Sequence, residues 1–174
     1  MARSRISCSC NYNPRMTAPA NAPALSLDRF LPYRLSVLAN TVSSALAGAY
    51  ALRFGLTIPQ WRVIAVLART PGLAAADVVE RTAMDKVAVS RAVAGLARTG
   101  RLRRATAAGD RRRSVLSLTE RGWSVYRRIV PLALAYERRL LAELSPDEQA
   151  QFETLLSRLL ERSRRLGPAG DARV

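Results

Sequence analysis

Apolar residues recur at helical spacing over residues 32–54, near the start of the chain. Pro32 stands in a first-turn position of this stretch, and Gly55 follows its end, where glycine commonly stops a helix. The recurring apolar positions are Leu35, Leu38, Val42, Leu46, Ala49 and Tyr50. The pattern predicts a first helix with an apolar stripe along one side.

Two further helices are predicted directly after the first. Thr57 and Gln60 form a capping-box pattern, which favours a second helix that continues through Thr70. Its expected inward face includes Trp61, Ala65 and Ala68. A short third helix is expected over residues 75–82, but Ala74 occupies the cap position, where a side-chain oxygen is preferred. The start of the third helix is therefore weakly specified.

A fourth helix is predicted over residues 86–98, because Asp85 can cap its start and Gly100 can end it. Its expected buried stripe consists of Val89, Val93, Leu96 and Ala97. Gly95 within this helix costs about 1 kcal/mol relative to alanine. A close crossing with another helix would explain its presence.

After the fourth helix the apolar period changes from helical to two, which is typical of strands. Residues 102–106 and 115–119 are short strand candidates, and Leu116 and Leu118 would share one face. The polar segment 107–113 between them is suited to a hairpin turn. Together these segments predict a two-stranded wing.

Two helices are predicted to complete the chain. Thr119 can cap a fifth helix, which Pro131 is expected to kink, with apolar positions at Trp123, Tyr126, Val130 and Leu134. Ser145, Pro146 and Glu148 are a strong start signal for a sixth helix. Its apolar stripe consists of Phe152, Leu155, Leu156, Leu159 and Leu160. A stripe on a helix beyond the compact winged unit needs a partner, which favours a dimer.

Three helices followed by a two-stranded hairpin define a winged helix-turn-helix. The expected fold is mainly α: a winged helix-turn-helix with N- and C-terminal dimerisation helices, in the order α1-α2-α3-α4-wing-α5-α6. The expected division is a disordered leader, a first dimerisation helix, a DNA-binding domain, C-terminal dimerisation helices and a disordered tail. Their respective bounds are 1–24, 25–56, 57–119, 120–166 and 167–174.

The charge of the chain points to a polyanionic partner. The net charge is +15, from 28 Lys plus Arg against 13 Asp plus Glu. A genome rich in G and C also favours arginine codons, but that would not concentrate the charge. Residues 85–113 carry nine Lys or Arg against two Asp, a net +7. This clustering favours nucleic acid as the partner.

Base-contact candidates lie on the fourth helix, whose N-terminal residues would face base edges in the major groove. Lys86, Ser90 and Arg91 are the polar residues on its outward side. In the wing, Arg111, Arg112 and Arg113 are suited to a narrow minor groove, where the negative potential is strongest. Asp110 is interpreted as a brace that holds one of these guanidinium groups.

Catalysis and metal binding are not expected. The chain has no histidine, no Gly-rich phosphate loop, and no Ser or Cys nucleophile beside a plausible base. Cys8 and Cys10 lie in the polar leader and cannot complete a four-ligand metal site.

Neither a signal peptide nor a run of about 20 consecutive apolar residues is present, so a cytoplasmic protein without a membrane partner is expected. The sequence leaves open whether Met1 or Met16 is the true start.

Over residues 28–165 the sequence resembles the MarR family of transcription regulators. The resemblance rests on the order of four short motifs, which are Thr57-Ile58-Pro59-Gln60-Trp61, Asp85-Lys86-Val87-Ala88-Val89-Ser90-Arg91, Asp110-Arg111-Arg112 and Leu118-Thr119-Glu120-Arg121-Gly122. It implies a dimer formed by the first and the last two helices, a wing arginine in the minor groove, and a small, often aromatic acid that releases DNA. Ala74 departs from the family pattern, in which a hydroxyl side chain is frequent. Since the predicted folded part has no cysteine, the resemblance does not extend to peroxide sensing.

The expected function is therefore a sequence-specific, ligand-responsive repressor that binds a near-palindromic operator in double-stranded DNA as a homodimer. No cofactor is expected apart from a small organic acid effector. The alternative is a nonspecific nucleic-acid-binding architectural winged-helix protein, which would bind operator and random duplex equally at matched salt. Membrane-surface binding is a third option, but the apolar face of the sixth helix is more simply buried in a dimer.

Overall fold

The computed structural model describes residues 25–107 and 110–166, and the side chains of residues 25–106 and 114–166. It divides into two compact units at Asn40/Thr41. In the first unit, residues 27–29 form a turn and residues 31–40 are helical. The second unit contains the remaining elements.

The elements follow the predicted order of a winged helix-turn-helix. They are α1 (Leu31–Phe54), α2 (Ile58–Arg69), α3 (Ala75–Thr82), α4 (Lys86–Arg98), β1 (Leu102–Ala107), β2 (Asp110–Leu118), α5 (Glu120–Leu141) and α6 (Pro146–Leu166). The predicted fold class is confirmed, and the bounds of α3 and α4 are those expected from the sequence. Helix α5 continues through Pro131 without interruption.

Local capping explains why the helices start where they do. The Asp85 carboxylate accepts from the backbone N–H of Ala88 at 2.8 Å, and the Thr57 and Gln60 side chains each accept from the other's backbone N–H. Equivalent caps are formed by Thr119 at α5 and by Ser145 with Glu148 at α6. The four predicted start signals are therefore confirmed.

The start of α3 is stabilised from inside the helix. Ala74 has no side-chain oxygen, as expected, but the Asp77 carboxylate accepts from the Ala74 N–H at 2.9 Å. Only the half of the capping box that needs a hydroxyl is missing. At the other end of α3, Ala83 adopts the left-handed conformation with φ of 50°, which turns the chain sharply toward α4.

The hydrophobic core lies in the second unit, and several predicted helix faces are wrong by about one position. On α2 the fully buried residues are Val63, Ile64 and Leu67, whereas the expected Trp61, Ala65 and Ala68 are only partly buried. On α4 the prediction is confirmed for Val89, Val93 and Leu96, and wrong only for Ala97, which is exposed while Ala92 is buried. Both helices carry apolar residues around much of their circumference, so spacing alone could not select the side that packs.

The buried faces of α5 and α1 also differ from those predicted from the sequence. In α5 the buried residues are Gly122, Val125 and Ile129, while Leu134 is exposed and Trp123, Tyr126 and Val130 are partly buried. In α1 only the end of the predicted stripe packs on the core, through Tyr50 and, in part, Leu46. The expected positions Leu35, Leu38 and Ala49 are exposed.

Two glycines mark close approaches between elements. A Cβ at Gly95 would meet the side-chain amide nitrogen of Gln60 at 2.5 Å, so Gly95 of α4 faces α2, and the expected close crossing of these helices stays a prediction. A Cβ at Gly122 would lie less than 3.0 Å from the backbone oxygen of Arg101, closer than real Cβ atoms approach another heavy atom. The start of α5 thus packs directly on the backbone at the base of the wing.

The hairpin is longer than predicted. Strand β2 begins at Asp110, so the polar segment 107–113 is mostly strand and not a turn. The antiparallel register runs from Leu102↔Leu118 to Thr106↔Ser114 and then shifts, leaving residues 111–113 within the irregularity. The Leu116 and Leu118 side chains share the buried face as expected. Backbone hydrogen bonds also join Leu116 to Gly72 and Leu73, which ties the hairpin to the loop before α3.

Helix α6 contains no buried residue. Its stripe residues Phe152, Leu155, Leu159 and Leu160 are each about half exposed, and Leu156 is partly buried. In the first unit, every described residue from 25 to 40 is exposed. Of the described helices, α1 is long and apolar enough to cross a membrane. Its length and composition are weak evidence for a membrane span, because the core helices of soluble proteins can be equally long and apolar.

Candidate nucleic-acid interface

Helix α4 has one buried and one solvent-facing side. Val89 and Val93 are each only 1% exposed, and Leu96 is fully buried. Lys86, Ser90 and Arg91 are all exposed. The structure therefore places all three predicted base-contact residues at the solvent-accessible N-terminal half of α4, where a major groove could reach them.

A fourth residue on this side was missed by the sequence interpretation. Val87 is 57% exposed, although it lies in the same helix as two fully buried valines. It precedes Ser90 by three positions and Arg91 by four, so it shares their face. Val87 is apolar and therefore falls outside the set of polar base-contact candidates. The available signal was its position, because it falls outside the periodic stripe of Val89, Val93 and Leu96.

A groove next to α4 brings two of the predicted base-contact residues together with a further cation, Arg104. Lys86 and Ser90 from α4 and Arg104 from β1 line it, together with apolar residues of α3 and α4. Arg98 and Arg103 are exposed on the same two elements. Positive charge is thus carried by α4 and by the strand that follows it, as an interface with phosphate groups requires.

Arg101 differs from the other cations in this region because it is partly buried. Its guanidinium donates to the Phe54 carbonyl oxygen at 2.5 Å, and its buried Nε has no hydrogen-bond partner among the described atoms. Burial lowers the pKa of Arg101, and repulsion from Arg121 lowers it further. Arg101 therefore joins the base of the wing to the end of α1 and is not a free phosphate ligand.

The proposed wing contacts lie at the margin of the described residues. The backbone of Asp110, Arg111, Arg112 and Arg113 belongs to β2. Their side chains lie outside the described part of the structure, as do Cys8 and Cys10. The minor-groove role of the arginines and the bracing role of Asp110 stay predictions.

Four aromatic rings form a chain beside the core. Trp61 lies 5.8 Å from Tyr50 and 6.0 Å from Tyr126 between ring centroids, and Tyr126 makes an edge contact with Trp123. Burial raises the pKa of Tyr50, an effect that the nearby Arg62 partly offsets. The rings join α1, α2 and α5 around a packed centre. Trp61 thus packs against the core, as expected from its place on α2.

Metal chemistry finds no support in the described residues, which hold no group of three or more His, Cys, Asp or Glu side chains that could bind a metal ion. The geometry instead consists of an exposed, cation-bearing helix held by a capped N-terminus and flanked by a hairpin. These are the structural elements of a DNA-binding surface.

Comparison with known proteins agrees with this geometry. A sequence profile of the MarR family matches residues 54–113. An HTH-type transcriptional repressor of Mycobacterium tuberculosis is 28% identical over 131 residues, which cover 75% of this chain and 91% of that protein.

Solved structures extend the similarity across most of the chain. The PcaV transcriptional regulator of Streptomyces coelicolor, in complex with its natural ligand, is 30% identical, with a TM-score of 0.68 over 82% of this chain and 99% of that one. A MarR/EmrR family transcriptional regulator of Acinetobacter sp. ADP1 is 28% identical, with a TM-score of 0.74 over 81% and 99%. These relatives are regulators and not enzymes, in agreement with the expected absence of catalysis. Fold, interface and relatives together establish that the chain is a DNA-binding transcriptional regulator and belongs to the MarR family.

Proposed function

We propose that this regulator binds a near-palindromic operator as a homodimer and represses transcription until a small organic acid releases it. The observation that carries the proposal is the joint exposure of Lys86, Ser90 and Arg91 on α4. An α-helix fits the major groove of B-DNA, where ammonium, hydroxyl and guanidinium groups distinguish base pairs by their donors and acceptors. A helix that presents only cations would favour phosphate contacts without sequence preference.

Dimer formation is supported by the unpartnered apolar side of α6. Phe152, Leu155, Leu159 and Leu160 are 45 to 51% exposed within a single chain. A contiguous apolar stripe of this kind is typical of a surface that another protein surface covers. A second copy of the chain, paired through α1, α5 and α6, would place two α4 helices at half-sites about one DNA turn apart.

Response to a ligand is supported by the resemblance to PcaV, whose solved structure contains a natural ligand. A small organic acid that prefers the non-binding arrangement of the two winged units would shift the population away from DNA. Because a dimer bound to an operator that overlaps a promoter excludes polymerase, release of the DNA would restore transcription. An acid added at increasing concentration should lower operator affinity without unfolding the protein.

The decisive experiment compares operator with random duplex for the wild type, Arg91→Ala and a charge-matched control, Arg69→Ala. Arg69 is also exposed, but it lies at the end of α2. Arg91→Ala should lose about 1 to 3 kcal/mol of operator affinity and relax sequence preference. Arg69→Ala should leave the ratio of operator to random binding unchanged. Equal affinity of the wild type for both duplexes would instead support a nonspecific architectural protein.

A second experiment tests the dimer. Truncation after Leu144 removes α6 and its apolar stripe. Sedimentation should show a dimer for the full chain and a monomer for the truncated one. A truncated protein that remains dimeric would mean that α6 is not the interface.

A further inference from the structure

We propose that Val87 determines part of the operator sequence by packing against the C5-methyl group of a thymine in the major groove. This inference rests on the proposed sequence-specific binding and names one base that α4 recognises. It concerns an apolar contact, in addition to the polar contacts proposed for Lys86, Ser90 and Arg91.

The position of Val87 on α4 is the first support. The buried residues Val89, Val93 and Leu96 define the side of the helix that packs on the core. Val87 lies two positions before Val89, about 160° away around the helix from that residue. It therefore projects from the side opposite the core, in the first turn, between the base-contact candidates.

The second support is that the fold gains little from this side chain. Val87 is 57% exposed, whereas Val89 and Val93 are 1% exposed and contribute to the core. Valine is also a weaker helix former than alanine, because its branched side chain loses rotamer freedom against the preceding turn. The Val87 side chain is therefore not required by the core and is accessible to a partner.

The third support is the chemistry of the groove. The thymine methyl is the apolar group that base pairs present in the major groove of unmodified DNA, and small apolar side chains contact it directly. The isopropyl group of valine is already fixed in one rotamer in a helix, so contact costs little further side-chain entropy. Thymine is therefore the base that Val87 is best suited to recognise.

The test uses full-length protein and duplexes selected by the wild type from a random-sequence pool. In each selected duplex, thymines are replaced one at a time by deoxyuridine, which lacks only the methyl group. Affinities are measured for the wild type, Val87→Ala and Val87→Ile. Thermal unfolding of both variants checks that the exposed substitutions leave the fold intact.

One thymine in each half-site should respond. Deoxyuridine there should weaken wild-type binding about fourfold, the factor expected for one buried methyl-sized group. Val87→Ala should bind the thymine duplex about fourfold more weakly and should no longer distinguish thymine from deoxyuridine. Val87→Ile keeps an apolar side chain and should still distinguish them. Arg91→Ala serves as the control for general weakening, and it should lose affinity yet keep the thymine preference.

The outcomes separate this inference from the proposed function. If the wild type selects a preferred sequence but Val87→Ala remains as sensitive to every deoxyuridine as the wild type, the thymine contact is refuted alone. If no preferred sequence emerges, both the proposed specific binding and the contact are refuted.

Discussion

Gly122 should tolerate no side chain, and Gly122→Ala is the sharpest test of how the wing is attached. A Cβ at this position would lie within 3.0 Å of the Arg101 backbone oxygen and 3.3 Å from the Cβ of Leu118. The Arg101 oxygen accepts from the Thr119 N–H at 3.1 Å, and the Thr119 hydroxyl donates to the Gly100 oxygen at 2.7 Å. Because the clash is with backbone, no side-chain rotation can relieve it, and α5 must move away from the wing.

The expected loss follows from three contributions. Overpacking costs about 1 to 3 kcal/mol, and losing the two Thr119 hydrogen bonds costs about 1 kcal/mol each. Alanine in a helix recovers about 1 kcal/mol relative to glycine. The net destabilisation is about 2 to 4 kcal/mol, which lowers Tm by about 4 to 16 °C in a protein of this size.

Thermal unfolding followed by circular dichroism, at one fixed protein concentration, measures this loss. Gly95→Ala is the matched control, because its Cβ would meet only the movable amide end of Gln60. The added methyl group would displace the Gln60 amide and weaken its capping hydrogen bond to the Thr57 N–H, but alanine favours the helix more than glycine does. Because the two effects oppose each other, Tm should shift little. A Gly122→Ala protein as stable as the wild type would show that α5 does not contact the wing base as described.

Three further predictions concern the wing and the helix caps. Arg112→Ala should weaken DNA binding and reduce the dependence of log K on log salt by about 0.9; an identical slope would mean that the wing does not contact phosphate. Arg101→Met should lower the free energy of unfolding by about 1 to 3 kcal/mol, because the Phe54 carbonyl loses its charged donor, and urea unfolding with no change would contradict that role. Hydrogen bonds from the Ser145 backbone and side chain lower the pKa of Glu148, so this cap stabilises α6 above the ordinary carboxyl pKa and is lost as pH falls through the lowered value. Ser145→Ala should raise the Glu148 pKa part of the way back in an NMR titration, and an unchanged pKa would assign the whole effect to the backbone.

The helix boundaries and the order of elements could be predicted because their signals are local. Asp85 accepts from the N–H three residues later, and Thr57 and Gln60 cap one another over the same distance. Such bonds depend on residues within one turn, so the sequence contains all of the information. The length of the hairpin was underestimated, since strand pairing depends on a partner strand and on a register that polar composition does not reveal.

The sequence alone determined that this is a helical, strongly basic chain with a winged helix-turn-helix order and polar base-contact candidates on α4. Only the tertiary structure decided which sides of α2 and α5 are buried, and showed that the Arg101 guanidinium donates to the Phe54 carbonyl oxygen. The physical reason is that helices rich in Ala, Val and Leu offer several apolar faces, and packing against neighbours selects one. Among the described residues, no neighbouring element buries any residue of α6, so packing selects no face for this helix.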